Sequence, residues 1–200
     1  LNTDESLTLS GFVRGARGTE WATGLHVDGD LIVLLDGSNT QFITADIERI
    51  GVTSNYKAVT FGQSALDVAG EDFTYRGENL KPLSPVLPVG SVVAVGWALS
   101  ATSRTRYSGS FWNTGSQPQN ESILSYELDI MSGASVVRTI SATSLDFIYT
   151  SAQQVEDFGE IQGAISVNYY QLSERVGRGL GLSASYTGYS VLDFNNPDLI

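Results

Sequence analysis

Apolar and polar residues alternate over short runs along most of this chain, and the runs are broken by glycine, proline, asparagine and aspartate. A period of two puts successive side chains on opposite faces of an extended backbone, so the pattern predicts strands rather than helices. In the second half the predicted strands are SVVAVGWAL (91–99), ILSYELDIM (123–131), SVVRTISAT (135–143), DFIYT (146–150), AISVNYYQL (164–172) and LGLSASY (180–186). Their length and spacing fit a seven-strand sandwich of about 100 residues, with Trp97 buried near the end of its strand. The segment Gln153-Gln154-Val155-Glu156-Asp157-Phe158 predicts a short helical turn crossing between the sheets, with Phe158 and Tyr149 covering that end of the core.

In the first half, LTLSGFVRG (7–15), DLIVLLD (30–36), TQFITADI (40–47) and YKAVTFGQ (56–63) read as strands. Asp-Gly pairs at 28–29 and 36–37 favour tight hairpins between them. Pro82, Pro85 and Pro88 then fall within seven residues, a stretch poor in backbone donors and suited to an extended connector. The chain accordingly divides into a small β-domain (1–81), a proline-rich linker (82–90), a sandwich (91–187) and a C-terminal extension (188–200). The expected fold class is all-β, a small β-domain followed by a β-sandwich.

Near the C-terminus, Gly177-Arg178-Gly179-Leu180-Gly181 raises the question of a phosphate-cradling loop. A dinucleotide loop needs a third glycine at the sixth position and a helix after it, because the helix N-terminus holds the pyrophosphate. Here the sixth position is Leu182 and the following residues alternate as a strand. The glycines are therefore read as a turn between the last two strands, supplying positive φ.

Charge and composition narrow the chemistry. Twenty-two acidic residues against eleven basic ones give a net charge of −11, which disfavours nucleic acid and anionic membranes. With no cysteine and a single histidine, His26, the chain has no thiolate nucleophile, no disulfide and no histidine cluster for a metal. No run of about 18 apolar residues predicts a membrane span. Asp28 and Asp30 flank Gly29 but lack the twelve-residue calcium-loop pattern, and are read as turn residues. Glu71-Asp72 and Glu156-Asp157 are neighbours rather than a pair facing across a cleft, and are read as solvated. No G-x-S-x-G elbow is present. No catalytic, metal or cofactor-binding residue is assigned, and the chain is read as not an enzyme.

Two aromatic and cationic groups carry the binding expectations. Tyr107, Phe111 and Trp112 could stack on sugar rings of a cell surface, or else belong to the sandwich core. Arg14 and Arg17, in Arg14-Gly-Ala-Arg-Gly18, could take an acidic ligand or pair at a strand end.

Several motifs in one order carry a resemblance. GFVRGARGTEWA (11–22), VLLDG (33–37), YKAVTFGQS (56–64) and NLKPLSPV (79–86) are followed by Trp97, Arg104, Arg106 and Trp112. Then come Tyr126 to Ile130, Tyr149 to Gly159 and Gln171 to Gly179. This series resembles the distal part of the tail hub, or tail tip, proteins of long-tailed bacteriophages and gene transfer agents, and its second half resembles a fibronectin type III domain. Such hubs are longer, and a chain beginning at Leu1 corresponds to a distal piece of one. The Arg104–Trp112 segment departs from the family spacing.

The resemblance implies a structural component of the baseplate hub region, located at the distal end of the virion tail. It implies a homotrimer in contact with other tail-tip and distal tail proteins, and possible recognition of a host surface receptor or glycan. Arg14 and Arg17 would then pack against neighbouring hub parts. The apolar C-terminal residues, Tyr189, Leu192 and Phe194 among them, are further candidate assembly contacts. A receptor- or carbohydrate-binding module is the alternative, and a cell-wall or polysaccharide hydrolase the third reading.

Overall fold

The computed structural model describes residues 10–11, 13–15, 19–33, 37, 43–105, 121 and 123–188. The chain divides into two compact units, one formed by Asp28–Leu80 and the other by Leu1–Val27 with Lys81–Ile200.

The larger unit is a β-sandwich. One sheet holds β3 (Val86–Val93), β4 (Gly96–Thr102) and β7 (Asp146–Thr150), in the order β3-β4-β7. The other holds β5 (Ser125–Ser132), β6 (Ser135–Ala142), β8 (Ala164–Ser173) and β10 (Leu182–Thr187), in the order β10-β8-β5-β6, with the two-residue β9 (Gly177–Arg178) also pairing with β8. All pairings are antiparallel. Three strands against four, with the chain crossing between sheets after β4, β6 and β7, is a fibronectin type III-like sandwich.

The period-two pattern explains which faces meet. Trp97 and Leu99 of β4, Tyr126, Leu128 and Ile130 of β5, Phe147 and Tyr149 of β7, and Ile165, Val167 and Tyr169 of β8 are buried on the inner faces, joined by Leu145. Burying each such side chain contributes about 1.5–3 kcal/mol before ordering entropy is counted. Trp97 also donates through Nε1 to the Gln162 carbonyl at 3.2 Å, so its polar edge is satisfied. A β-carbon on Gly90 of β3 would lie 2.6 Å from the Tyr186 ring of β10, so only glycine allows this close approach.

Between β7 and β8 the chain forms α1, Ser151–Phe158, the expected helical turn. Thr150 caps it: its hydroxyl accepts from the Gln153 backbone N–H, and the Gln153 side chain accepts from the Thr150 backbone N–H. Gly159 ends it in the left-handed conformation, φ 80°.

Two expectations are revised here. The proline stretch 82–90 is not a free connector, because β3 begins at Val86 and Leu180 N–H donates to the Pro82 carbonyl at 3.0 Å. Pro88 is tolerated because β3 is an edge strand, where a missing N–H costs no ladder bond, and the β3–β4 register shifts between Val86 and Val89.

The described residues of the first half, secondly, hold fewer strands than the pattern suggested; positions 7–9, 12, 34–36 and 40–42 of the expected strands lie outside them. Asp30–Val33 and Ile43–Asp46 are irregular, Ile47–Arg49 is a 3₁₀ turn, and of YKAVTFGQ only Tyr56 lies in a strand. The described strands of the smaller unit are β1 (Thr53–Tyr56) and β2 (Glu71–Thr74), an antiparallel ribbon. Thr53 and Thr74 share a hydroxyl hydrogen bond at 2.7 Å, Asn55 donates to Asp72 at 2.7 Å, and the Tyr56 and Phe73 rings meet edge to face. Alternation predicts a strand only where another surface waits to bury one face. Val52, Val59, Phe61 and Phe73 all remain exposed.

Candidate functional site

Several described charged residues of the resemblance motifs, Arg104, Asp129, Asp157 and Arg178 among them, meet partners at three places on the sandwich, and each place is a fastening between elements. The first is the glycine loop. Gly177 has φ 71°, as a turn glycine would, but Gly179 and Gly181 are glycines for a different reason. A β-carbon on Gly179 would stand 2.5 Å from the Pro82 carbonyl oxygen and 2.9 Å from that of Gln171; one on Gly181 would stand 2.7 Å from the Tyr170 ring. The expectation that these glycines all supply positive φ is thus corrected: two of the three make room.

Arg178, between them, turns onto the outer face of the four-stranded sheet. Its Nε donates to Glu127 Oε2 at 2.8 Å and its Nη1 to Asp129 Oδ2 at 2.6 Å, with Nη2 also reaching Glu127. The guanidinium lies 4.2 Å from the centre of the Tyr170 ring. Asp129 is 1% exposed and accepts a further bond from Thr139 Oγ1 at 2.6 Å. Partial burial works against the Arg178 charge, but the bonds to Asp129 and Glu127 outweigh it and raise its pKa. The loop carries no anion cradle: its cation is spent on two carboxylates, and a strand follows it.

The second place is the corner at α1. Arg138 of β6 donates through Nε to Asp157 Oδ2 and through Nη2 to Asp157 Oδ1, both at 2.7 Å, and Nη2 also reaches Glu156. The Tyr149 hydroxyl donates to Asp157 Oδ2 at 2.8 Å. Arg138 holds the Asp157 carboxyl below the usual carboxylate range against the opposing effect of burial. Burial, then the bond to Asp157, pushes the Tyr149 phenol up. Gln154 is buried behind this pair, donating to the Tyr149 carbonyl and accepting from the Gln162 N–H. The reading of Glu156-Asp157 as solvated is therefore corrected for Asp157, whose side chain is 7% exposed and ion-paired. The strand–helix corner, and not sequence adjacency, gives it a partner.

At the third place Gln171, also buried, accepts from the Arg104 backbone N–H at 2.7 Å and donates to the Arg104 carbonyl at 2.8 Å. The Arg104 side chain reaches Glu20 at 2.7 Å and so ties the 3₁₀ turn Glu20–Ala22 to the sandwich. Beside it lies a cleft of about 10 Å³ lined by Arg104, Glu121, Tyr126 and Gln171, with room for one water molecule and no sugar ring. A larger open hollow of about 570 Å³ in the smaller unit is lined wholly by the consecutive residues Asp72–Asn79.

Of the residues singled out from sequence, Arg14 is described and is exposed. Arg17, Tyr107, Phe111, Trp112, Tyr189, Leu192 and Phe194 lie outside the described residues. Asp28 and Asp30 are exposed, and among the described residues no group of three or more histidine, cysteine or acidic side chains is placed to hold a metal. No described helix is long and apolar enough to cross a membrane. Sequence reasoning missed two separate pairings, Arg138 with Asp157 and Arg178 with Asp129. The one available signal was Glu127 and Asp129 at i and i+2 of a strand, which shares a face and calls for a cation.

No family model and no curated protein matches the chain. Among solved structures, the extracellular region of rat CD45, domains d3–d4, is similar over 81% of this chain and 77% of that chain, with 12% identity and a TM-score of 0.34. The sandwich assignment accordingly stands on strand order and core, and function on the residues themselves.

Proposed function

We propose that this chain is a non-enzymatic structural module of a phage-type tail tip, working by rigid presentation of surfaces to other proteins at the distal end of the tail. In that setting it sits as three copies around the tail axis. The observation that carries the reading is the ordered motif series from Gly11 to Gly179. Its described charged members Arg104, Asp157 and Arg178 each fasten one loop or turn to the sandwich. Motif residues that serve loop geometry suit a scaffold whose product is shape. Antibody against this chain should decorate the tail tip of purified particles in negative-stain images; decoration of capsid or tail tube would overturn the reading.

A second reading, a receptor- or glycan-binding module at the same tip, is favoured by the β4–β5 connection. That stretch of the sequence carries Tyr107, Phe111 and Trp112, whose apolar ring faces and polar tips suit a sugar ring. Glycan-array binding lost in a Trp112→Ala variant that still folds would establish it. Release of soluble sugar or peptide from purified cell wall would instead favour the hydrolase reading.

A further inference from the structure

The smaller unit, Asp28–Leu80, buries no apolar side chain among its described residues. Leu31, Phe61 and Leu66 are more than nine-tenths exposed, and Ile43 and Phe73 more than half. Its described sheet is the two-stranded β1–β2 ribbon. A two-stranded ribbon is marginal in water unless a further strand, a helix or another surface covers one face. Several large apolar residues left in water on so small a unit mark a surface that is covered in use.

Charge selects what covers it. Between 28 and 80 the chain carries nine acidic residues and only three basic ones, Arg49, Lys57 and Arg76, a net charge of −6. A second copy of the unit would double that charge across a contact from which water is removed, and like charges so placed cost association. A surface that is apolar at its centre and ringed by lysine and arginine gains from both features at once.

We propose that Asp28–Leu80 is the docking element of this chain for a different, basic-rimmed protein surface, and that its ribbon becomes protected only when that partner is bound. Trimerisation through other surfaces is compatible with this. The proposal rests on the unit's own exposure and charge and stands whether or not the tail-tip reading does.

Hydrogen exchange on the full 200-residue chain tests it, with a synthetic amphipathic leucine/lysine peptide as the basic apolar probe and a leucine/glutamate peptide of the same pattern as control. In the free chain, amides of Thr53–Tyr56 and Glu71–Thr74 should exchange at least tenfold faster than those of β5 and β8, at every protein concentration tried. The lysine peptide should slow them about tenfold, and raising salt from about 0.05 to 0.5 M should remove most of that effect because it shortens the screening length. The glutamate peptide should do nothing. An Asp67→Asn, Glu71→Gln variant should need severalfold more lysine peptide.

Slow exchange in the dilute free chain would overturn the proposal by showing that the unit needs no cover. Protection rising with protein concentration, alongside a dimer or trimer mass in sedimentation, would assign the surface to a second copy. Equal protection by both peptides, or by neither, would remove the charge argument. None of these outcomes bears on where the chain sits in a particle.

Discussion

Replacing Gly179 by alanine separates two reasons for a glycine within one loop. The new β-carbon would meet the Pro82 carbonyl oxygen at 2.5 Å, Pro82 Cβ at 2.8 Å and the Gln171 carbonyl oxygen at 2.9 Å. None of these is the free end of a flexible side chain, so the loop itself must move. Overpacking of this kind costs about 1–3 kcal/mol. The shift also strains Gly179 N–H to the Gln171 carbonyl and Leu180 N–H to the Pro82 carbonyl. Losing one of those bonds adds about 1 kcal/mol. The expected total is about 2–4 kcal/mol, a large share of the roughly 5–15 kcal/mol that holds a domain together. Gly177→Ala is the internal control. Its φ is 71° but a β-carbon there meets nothing within 4 Å, so its cost is the left-handed backbone alone, about 1–2 kcal/mol. Urea unfolding followed by tryptophan fluorescence gives both values. A Gly179→Ala loss under about 1 kcal/mol, or a Gly177→Ala loss equal to or above it, would refute the space argument and restore the simple turn reading.

Trp97→Ala should cost about 3–5 kcal/mol, since the side chain is 2% exposed at the centre of the core; an unchanged melting temperature in a folded variant would sink its placement. Arg178→Ala leaves Asp129 buried with only Thr139 as partner. Breaking a buried pair costs about 3–5 kcal/mol, discounted to roughly 2–3 here because the Arg178 side chain is 37% exposed. Equal stability of variant and wild type in thermal unfolding would contradict this. Asp157 has its carboxyl pKa depressed in the folded chain, so its contribution is fully present above the ordinary aspartate value and is lost as pH falls through the folded one. Acid unfolding of wild type should therefore steepen below about pH 4, and Asp157→Asn should flatten that limb. Overlapping profiles would contradict the pairing with Arg138. Burial raises the Tyr149 and Tyr169 phenols, so absorbance at 295 nm should show part of the tyrosine signal titrating only when the chain unfolds at high pH. Complete titration near pH 10 with the fold intact would count against it.

The sandwich was legible because its strands have one wet and one dry face, and Tyr126, Leu128, Ile130 and Ile165, Val167, Tyr169 announce that phase two residues at a time. The α1 corner was legible for a local reason too: Thr150 and Gln153 form a capping box three residues apart, and Gly159 closes it. What escaped were pairings across the fold. Arg178 and Asp129 are 49 residues apart in the chain, and nothing in either neighbourhood says that a loop will fold back over β5. Pro88 misled because its fitness for a strand depends on that strand being at an edge, which is a property of the whole sheet. The alternating runs before Leu80 misled for the complementary reason. Alternation records the demand for a covering surface, and within this chain DLIVLLD and YKAVTFGQ do not receive one in their described parts.

The proposed role is that of a scaffold at the distal end of a phage-type tail. A three-dimensional reconstruction of purified particles tests it most directly, with the sandwich located by its three strands against four and the Asp28–Leu80 unit traced to whatever lies on it. Three symmetry-related copies are expected at the tail tip, each held by contacts with other tail proteins. Copies on the capsid, copies repeated along the tail tube, or particles that lack the chain altogether would contradict it.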